Sequence, residues 1–310
     1  TCTVTNTSDI KSRKMIRSAI KRNKDACVVA MGCFIEANKK FDIDGLDIVV
    51  GNKDKSKIVD LIKEYMEKKQ KIKDLYDGEY NEFEDMRMNE FPGRTRAFVK
   101  IQDGCENFCS YCIIPYVRGK CRSKDMDEVI SEVKSLVDAG YKEIVLTGIH
   151  TGNYGKDKDY NFATLLNELI KIDGLKRLRI SSIEITELTD EVLEVISKSN
   201  VIVDHLHIPL QAGSDKVLKD MNRKYDLAYY YKKIETIRKI RKDIAISTDI
   251  IVGFPTENQK CFENTIKVAK ELAFSKIHVF PFSLRSNTKA EEFENIVSPE
   301  EKKSRSRKLL

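Results

Sequence analysis

Apolar positions along the chain gather into short runs, separated by stretches in which they recur every third or fourth residue. The runs AFVKI (97–101), EIVLT (143–147), RLRIS (177–181), HLHIP (205–209), AISTDIIVG (245–253) and KIHVFPF (276–282) read as strands. The stretches 126–139, 161–172, 189–198, 226–241 and 258–272 between them carry the helical period. Strands alternating with helices demand a parallel sheet. Six such repeats predict an α/β sheet curled into a partial (β/α)6 barrel, with its chemistry at the carboxyl ends of the strands.

A smaller alternation comes first. TCTVT (1–5) has β character, and Thr7-Ser8-Asp9 can cap a helix running to about Arg22. ACVVAM (26–31) and DIVVG (47–51) read as buried strands, and a lysine-rich helix covers about 56–69. This is a second parallel α/β unit. It reads as short of its first strand, so the chain is expected to be a piece cut at the front. Residues 70–94 are polar, charged and without period, which predicts a linker. The expected organisation is a truncated N-terminal α/β domain over 1–69, a linker over 70–94, a barrel core over 95–298 and a basic segment over 299–310.

Composition narrows the setting. With 310 residues and 41% hydrophobic content the chain can bury an ordinary core, and no apolar run approaches the length of a membrane span. Lysine plus arginine exceed aspartate plus glutamate by 55 to 49, a net charge of +6 that permits an RNA partner without requiring one. Eight cysteines, without a signal-peptide pattern, indicate reduced thiols and a cytoplasmic location.

The cysteines change the picture. Cys105, Cys109 and Cys112 stand in GCENFCSYCI (104–113), directly after the first strand of the larger unit. Three thiolates can ligate three irons of a 4Fe–4S cluster and leave the fourth open, and open positions mark catalytic metal sites. A structural zinc with Cys121 as fourth ligand is the competing reading, although zinc sites usually come as two close pairs. Cys27 and Cys261 fall in a strand and a helix and read as packing residues. His150, at a strand end, could be a general base but reads first as structural.

C-x3-C-x2-C with Tyr111 before its last cysteine resembles the signature of the radical S-adenosylmethionine (SAM) enzymes. The likeness goes further. RTRAFVKIQDGCENFCSYCIIPYVRGKCRS, VLTGIHTGNYG (145–155), RISSIEI (179–185), HIPLQAGSDKVLKDMNRKY (207–225) and TDIIVGFPTE (248–257) are similar to segments of the methylthiotransferase family. That resemblance implies SAM bound at the open iron and split by an electron from the cluster, so a reducing electron donor is an implied partner. It also implies SAM contacts from Tyr111, Gly148, Ser182, Glu184, Gln211 and Asp249 at successive strand ends.

The family carries a second 4Fe–4S cluster on three cysteines of its N-terminal domain. Cys2 and Cys33 match the second and third of these, and the first would lie on the missing strand. Methylthiolation is then expected in two parts, with one cluster site generating the radical and the other delivering sulfur. The family's substrates are tRNA adenosines beside the anticodon, carrying an isopentenyl or a threonylcarbamoyl group, and an aspartate of a ribosomal protein. TCTVTNTSDIKSRKMIR and LTGIHTGNYG look most like the threonylcarbamoyladenosine branch, which makes a tRNA anticodon stem-loop the expected partner. A zinc-containing RNA-binding module is the non-enzymatic alternative. A further RNA-binding domain would follow the basic segment PEEKKSRSRKLL. The family usually places proline before Arg285 and glycine before Thr288, where this chain has Leu284 and Asn287.

Overall fold

The alternation read from the chain becomes two parallel sheets in the computed structural model, which describes residues 1–75, 78 and 82–310. In the N-terminal unit, α1 (Asn6–Arg22) is capped by Thr5, whose hydroxyl accepts the Ser8 N–H. It is followed by β1 (Val29–Met31), α2 (Cys33–Ala37), β2 (Ile48–Val50), α3 (Ile58–Lys68) and β3 (Ile72–Asp74). The three strands lie in the order β1-β2-β3, all parallel. Ile16, Val28, Ala30, Phe34, Ile35, Leu46 and Val49 form their core.

Three expectations are corrected here. TCTVT is not a strand: the Thr1 amino group and hydroxyl donate to Met31 O at 2.6 and 2.8 Å, which sets the segment across the end of β1 rather than in a ladder. Thr7-Ser8-Asp9 lie inside α1, and the cap is Thr5. The predicted linker over 70–94 contains β3, which pairs with β2 from Ile72 opposite Ile48. Its polar look has a cause: it is an edge strand whose lysines, Lys71 and Lys73, both pair with Asp42. Part of the linker reading, at 76, 77 and 79–81, lies outside the described residues.

The larger unit opens with β4 (Arg96–Lys100). A small antiparallel pair, β5 (Gln102–Asp103) with β6 (Arg122–Ser123), then frames the cysteine loop and the short α4 (Ile114–Arg118). The repeat continues through α5 (Met126–Asp138), β7 (Glu143–Thr147), α6 (Phe162–Leu169), β8 (Arg177–Ile180), α7 (Asp190–Lys198) and β9 (His205–His207). It ends with α8 (Asp215–Asp220), α9 (Leu227–Ile240), β10 (Ala245–Val252), α10 (Gln259–Glu271), β11 (Lys276–Pro281) and α11 (Pro299–Leu309).

Two parallel ladders, β4-β7-β8 and β9-β10-β11, are joined by the bridges Leu178–Ile202 and Ser182–His207. Six strands therefore follow in sequence order as an open arc, with no β4–β11 pair among the described residues. This is the predicted partial barrel. In β10 the period of two sends Ile246, Ile250 and Val252 into the core shared with the helices, while Ser247, Asp249 and Ile251 take the other face. The basic segment is helical: α11 buries Arg305 against Glu257 at 2.6 Å and leaves Lys303, Arg307 and Lys308 exposed.

The two units are clamped by Arg285. Its guanidinium donates to Asn6 Oδ1 at 2.6 Å, Thr3 Oγ1 at 2.7 Å and Asp9 Oδ2 at 2.8 Å, and it is buried. The loop departures flanking it are accommodated, because Asn287 takes the left-handed φ of 64° that glycine would otherwise supply. Removing one partner of a buried ion pair strands the other. Arg285→Ala should therefore weaken the docking of α1 by about 3 kcal/mol. Limited proteolysis read by mass spectrometry should show cleavage within residues 1–75 appearing earlier than in the unaltered chain. Cleavage at an unaltered rate would refute the clamp.

Candidate metal and cofactor site

The cysteine loop leaves the carboxyl end of β4 and is held from two sides. On one side the Cys105 N–H donates to Gly119 O at 3.0 Å, continuing the β5–β6 pair. Gly104 has φ 77°, and a Cβ there would lie 1.8 Å from Lys120 O, so the crossing requires glycine. On the other side the end of α8 takes over. The Ser110 N–H donates to Met221 O at 3.0 Å and its hydroxyl to Asp220 O at 2.6 Å. Asn222 Nδ2 donates to Phe108 O at 2.9 Å.

Arg223, one residue on, reaches into the loop. It donates to Cys109 Sγ at 3.2 Å and Tyr111 Oη at 3.4 Å and forms an ion pair with Glu184. Glu184 also caps the turn Ile185–Glu187 in a reciprocal capping box. Burial raises the Cys109 thiol pKa, against the pull of Arg223. At Cys112 burial and the neighbouring Cys109 push it up to about 12. Without a cation these thiols hold their protons.

The three thiols bear on one another electrostatically, yet their sulfurs are not tightly gathered. Among the described residues, the set of His, Cys, Asp or Glu ligand atoms lying within 4.8 Å of one another is His207, Asp249 and His278. Cysteines around a single tetrahedral zinc would have sulfurs about 3.8 Å apart. The wider spread suits the separate iron corners of a cluster. Cys121, the supposed fourth zinc ligand, is buried with its sulfur 3.8 Å from Gly104 O. The donor set fits a 4Fe–4S group on Cys105, Cys109 and Cys112.

Of the expected SAM contacts, Tyr111, Gln211 and Asp249 line one cavity of about 200 Å³, together with Val4, Thr5 and Phe280. Gln211 has φ 66°, and its Oε1 is buried without a hydrogen-bond partner among the described residues. A ligand donor would satisfy it. Ser182 is exposed and bridges to His207 at the β8–β9 junction. At Gly148 a Cβ would stand 3.0 Å from Gln102 Oε1 and 3.2 Å from Thr151 Oγ1, so the close packing here favours glycine. His150 is buried between Cys105 Sγ, 3.9 Å from its Nδ1, and Glu187, with which it is ion-paired.

Two functional features escaped the sequence reading. Arg223 sits inside the quoted DMNRKY, but nothing in its spacing singles it out. Val4 and Thr5 reach the cavity through the Arg285 clamp, a long-range contact. Cys27 is half-buried just before β1, and Cys261 packs in the core from α10.

In the N-terminal unit Cys33 opens α2 at the end of β1. It is buried against Ile113 and Val117 of the cysteine loop and α4. Arg118 Nε donates to its sulfur at 3.3 Å and Nη1 to Asp103 at 2.9 Å. Gly32, with φ 105°, lets Thr1 O approach to 2.9 Å from where a Cβ would stand, so Cys2 and Cys33 occupy the same sheet edge.

The Radical SAM superfamily profile matches residues 99–269. The chain is 48% identical over its full length to a threonylcarbamoyladenosine tRNA methylthiotransferase MtaB of Bacillus subtilis, covering 70% of that protein. It is 40% identical, again over its full length, to the MtaB of Aquifex aeolicus, covering 76% of it. A tRNA-2-methylthio-N(6)-dimethylallyladenosine synthase of Clostridium botulinum is 34% identical, with 71% covered. Among solved structures, the radical SAM methyltransferase TsrM of Kitasatospora setae superposes with a TM-score of 0.54 at 15% identity, covering 63% of this chain and 38% of that one. Coproporphyrinogen III oxidase of Escherichia coli gives 0.52 at 17%, covering 70% and 52%. Those last two likenesses concern the fold. With its profile match and its full-length relatives, the chain belongs to the radical SAM methylthiotransferase family.

Proposed function

We propose that the chain places a methylthio group on carbon 2 of threonylcarbamoyladenosine next to the anticodon of tRNA. The observation that carries this is the 48% identity across the whole chain to a protein of that name, against 34% to the dimethylallyladenosine synthase. The cavity beside the cysteine loop, largely apolar with Gln211 and Asp249 among its few polar groups, supports an enzyme over a zinc-containing RNA-binding module. We assign the enzyme to the cytoplasm, where its tRNA lies.

A 4Fe–4S cluster on Cys105, Cys109 and Cys112 supplies, when bound, the electron that splits SAM. The protein's own part is placement and electrostatics. Arg223 sets a buried positive charge beside Cys109 and holds Tyr111 and Glu184 in position. Gln211 and Asp249 offer an acceptor and a carboxylate to the amino and hydroxyl groups of SAM, with Tyr111 along the cavity wall. Ser182 and Glu184 complete the row of strand ends, and Gly148 contributes through close packing on Gln102. Cys2 and Cys33 are the proposed thiolates of a second 4Fe–4S cluster, at the face of the N-terminal unit that Arg118 ties to the cysteine loop. The proposed division is an N-terminal domain, now extended to β3, then the barrel and the basic helix α11.

Cys109→Ala should abolish reductive cleavage of SAM. Continued release of 5′-deoxyadenosine by a variant with verified iron loss would defeat the assignment. Comparing the tRNA of cells with and without the intact gene should show loss of the 2-methylthio form of threonylcarbamoyladenosine. Unchanged nucleoside, with loss of methylthiolated isopentenyladenosine instead, would move the substrate to the other branch.

Thiols raised by burial are protonated at neutral pH, and ligands must be thiolates, so loading releases protons. Reconstitution with iron and sulfide should acidify a weakly buffered solution, and its apparent affinity should rise with pH. Loading indifferent to pH from 7 to 9 would contradict the buried-thiol account. In the intact protein, Cys33→Ala should stop methylthiolation while SAM cleavage continues. Methylthiolation persisting in that variant would remove Cys33 from the second site.

A further inference from the structure

On the inner face of the arc, below the cavity, three side chains from adjacent strands converge: His207 of β9, Asp249 of β10 and His278 of β11. Their ligand atoms all lie within 4.8 Å of one another. The convergence follows from register, since Asp249 stands opposite His278 and Ser247 opposite His207 in the parallel ladders. We propose that these three residues form a binding site for a divalent transition-metal ion, separate from the cysteine site.

Three features carry the inference. The first is geometry. His207 Nε2 and Asp249 Oδ2 are 3.1 Å apart, the edge length of a coordination polyhedron with bonds of about 2.0–2.2 Å. The second is orientation. His207 Nδ1 is 2.9 Å from the Ser247 hydroxyl, which turns the ring so that Nε2 faces Asp249 and His278. A metal-binding histidine commonly engages a partner through its other nitrogen in this way. The same hydroxyl is 3.0 Å from His205 Nε2, so it is itself held in place. The third is access. Asp249 lines the cavity together with Gln211, so the ion would have open positions facing that space.

Imidazole nitrogens with one carboxylate suit Zn(II), Co(II), Ni(II) or Fe(II) rather than Mg(II) or Ca(II), which prefer oxygen donors. Arg179, a cation felt by neighbouring His205, is engaged by Glu143 at 2.8 Å. An ion here would take an oxygen donor from whatever occupies the cavity. The site does not depend on which nucleoside the enzyme modifies.

The test uses the full chain, loaded anaerobically with iron and sulfide so that its cluster cysteines are occupied, and titrated with Co(II). One equivalent should bind with ligand-field bands of nitrogen and oxygen donors and no thiolate-to-cobalt charge-transfer band. His278→Gln and Asp249→Asn should each weaken binding by at least 10-fold. Ser247→Ala, which keeps all three ligands, should weaken it about 10–100-fold. Iron content and thermal unfolding would be checked in each variant, and the three variants lie on two strands, β10 and β11. No bound equivalent, a thiolate charge-transfer band, or affinity unchanged in both His278→Gln and Asp249→Asn would overturn the proposal.

Discussion

The buried pair of Arg223 and Glu184 is the interaction on which the site depends. Taking both charges out of water is costly, and the pair is kept because each member does a second job. Glu184 caps the turn after β8, and Arg223 reaches Cys109 and Tyr111 from the end of α8. One guanidinium thereby links the ends of two strands to the loop that follows a third. Without it Glu184 would be an unpaired carboxylate beside the Cys109 thiol, and its charge would oppose thiolate formation there. With it, at least one sulfur has a fixed positive neighbour at 3.2 Å.

The same economy joins the two units. Arg118 bridges Cys33 of the N-terminal sheet to Asp103 of the barrel, and Lys100 and Arg118 hold the Asp103 carboxyl well below the usual carboxylate range despite its burial. Arg285 does the equivalent work on the far side of the cavity by gripping α1. Between these two clamps lie the cavity lined by Thr5, Tyr111 and Asp249 and the sheet edge carrying Cys2 and Cys33. The proposed two-part reaction would need its parts held in one frame, and the two units here are tied by arginines whose forks each engage several acceptors.

How much of this the chain disclosed in advance varied with the locality of the signal. EIVLT became β7 over the same residues, because a short β-branched run between charged ends has few other ways to bury itself. The barrel order followed from alternation alone. TCTVT misled because its β-formers lie where no partner strand pairs with them. β3 was hidden by lysines whose partner, Asp42, stands 29 and 31 residues earlier. The cysteine spacing was legible as chemistry, since three thiols at those intervals demand an explanation. Arg223 was not, because its meaning lies wholly in what folding brings to it. Gly148 was legible as a place of close approach, but the packing on Gln102 that surrounds it is made only by folding.

His150 shows why a strand-end address is insufficient to name a role. Burial alone would lower its pKa and leave a neutral imidazole, fit to act as a base. Its neighbours outweigh burial: hydrogen bonds to Cys105 and Cys121 and the ion pair with Glu187 push the pKa up to about 12. Raised in this way, the ring favours its protonated form, which is the wrong state for a general base. Its Nδ1 lies 2.7 Å from Asn153 Nδ2 and 3.9 Å from Cys105 Sγ, and its Nε2 is paired with Glu187. Hydrogen bonds to cluster sulfurs are among the factors that set an iron–sulfur reduction potential. The contacts that surround His150, with Cys105, Asn153 and Glu187, favour the structural reading over a general base.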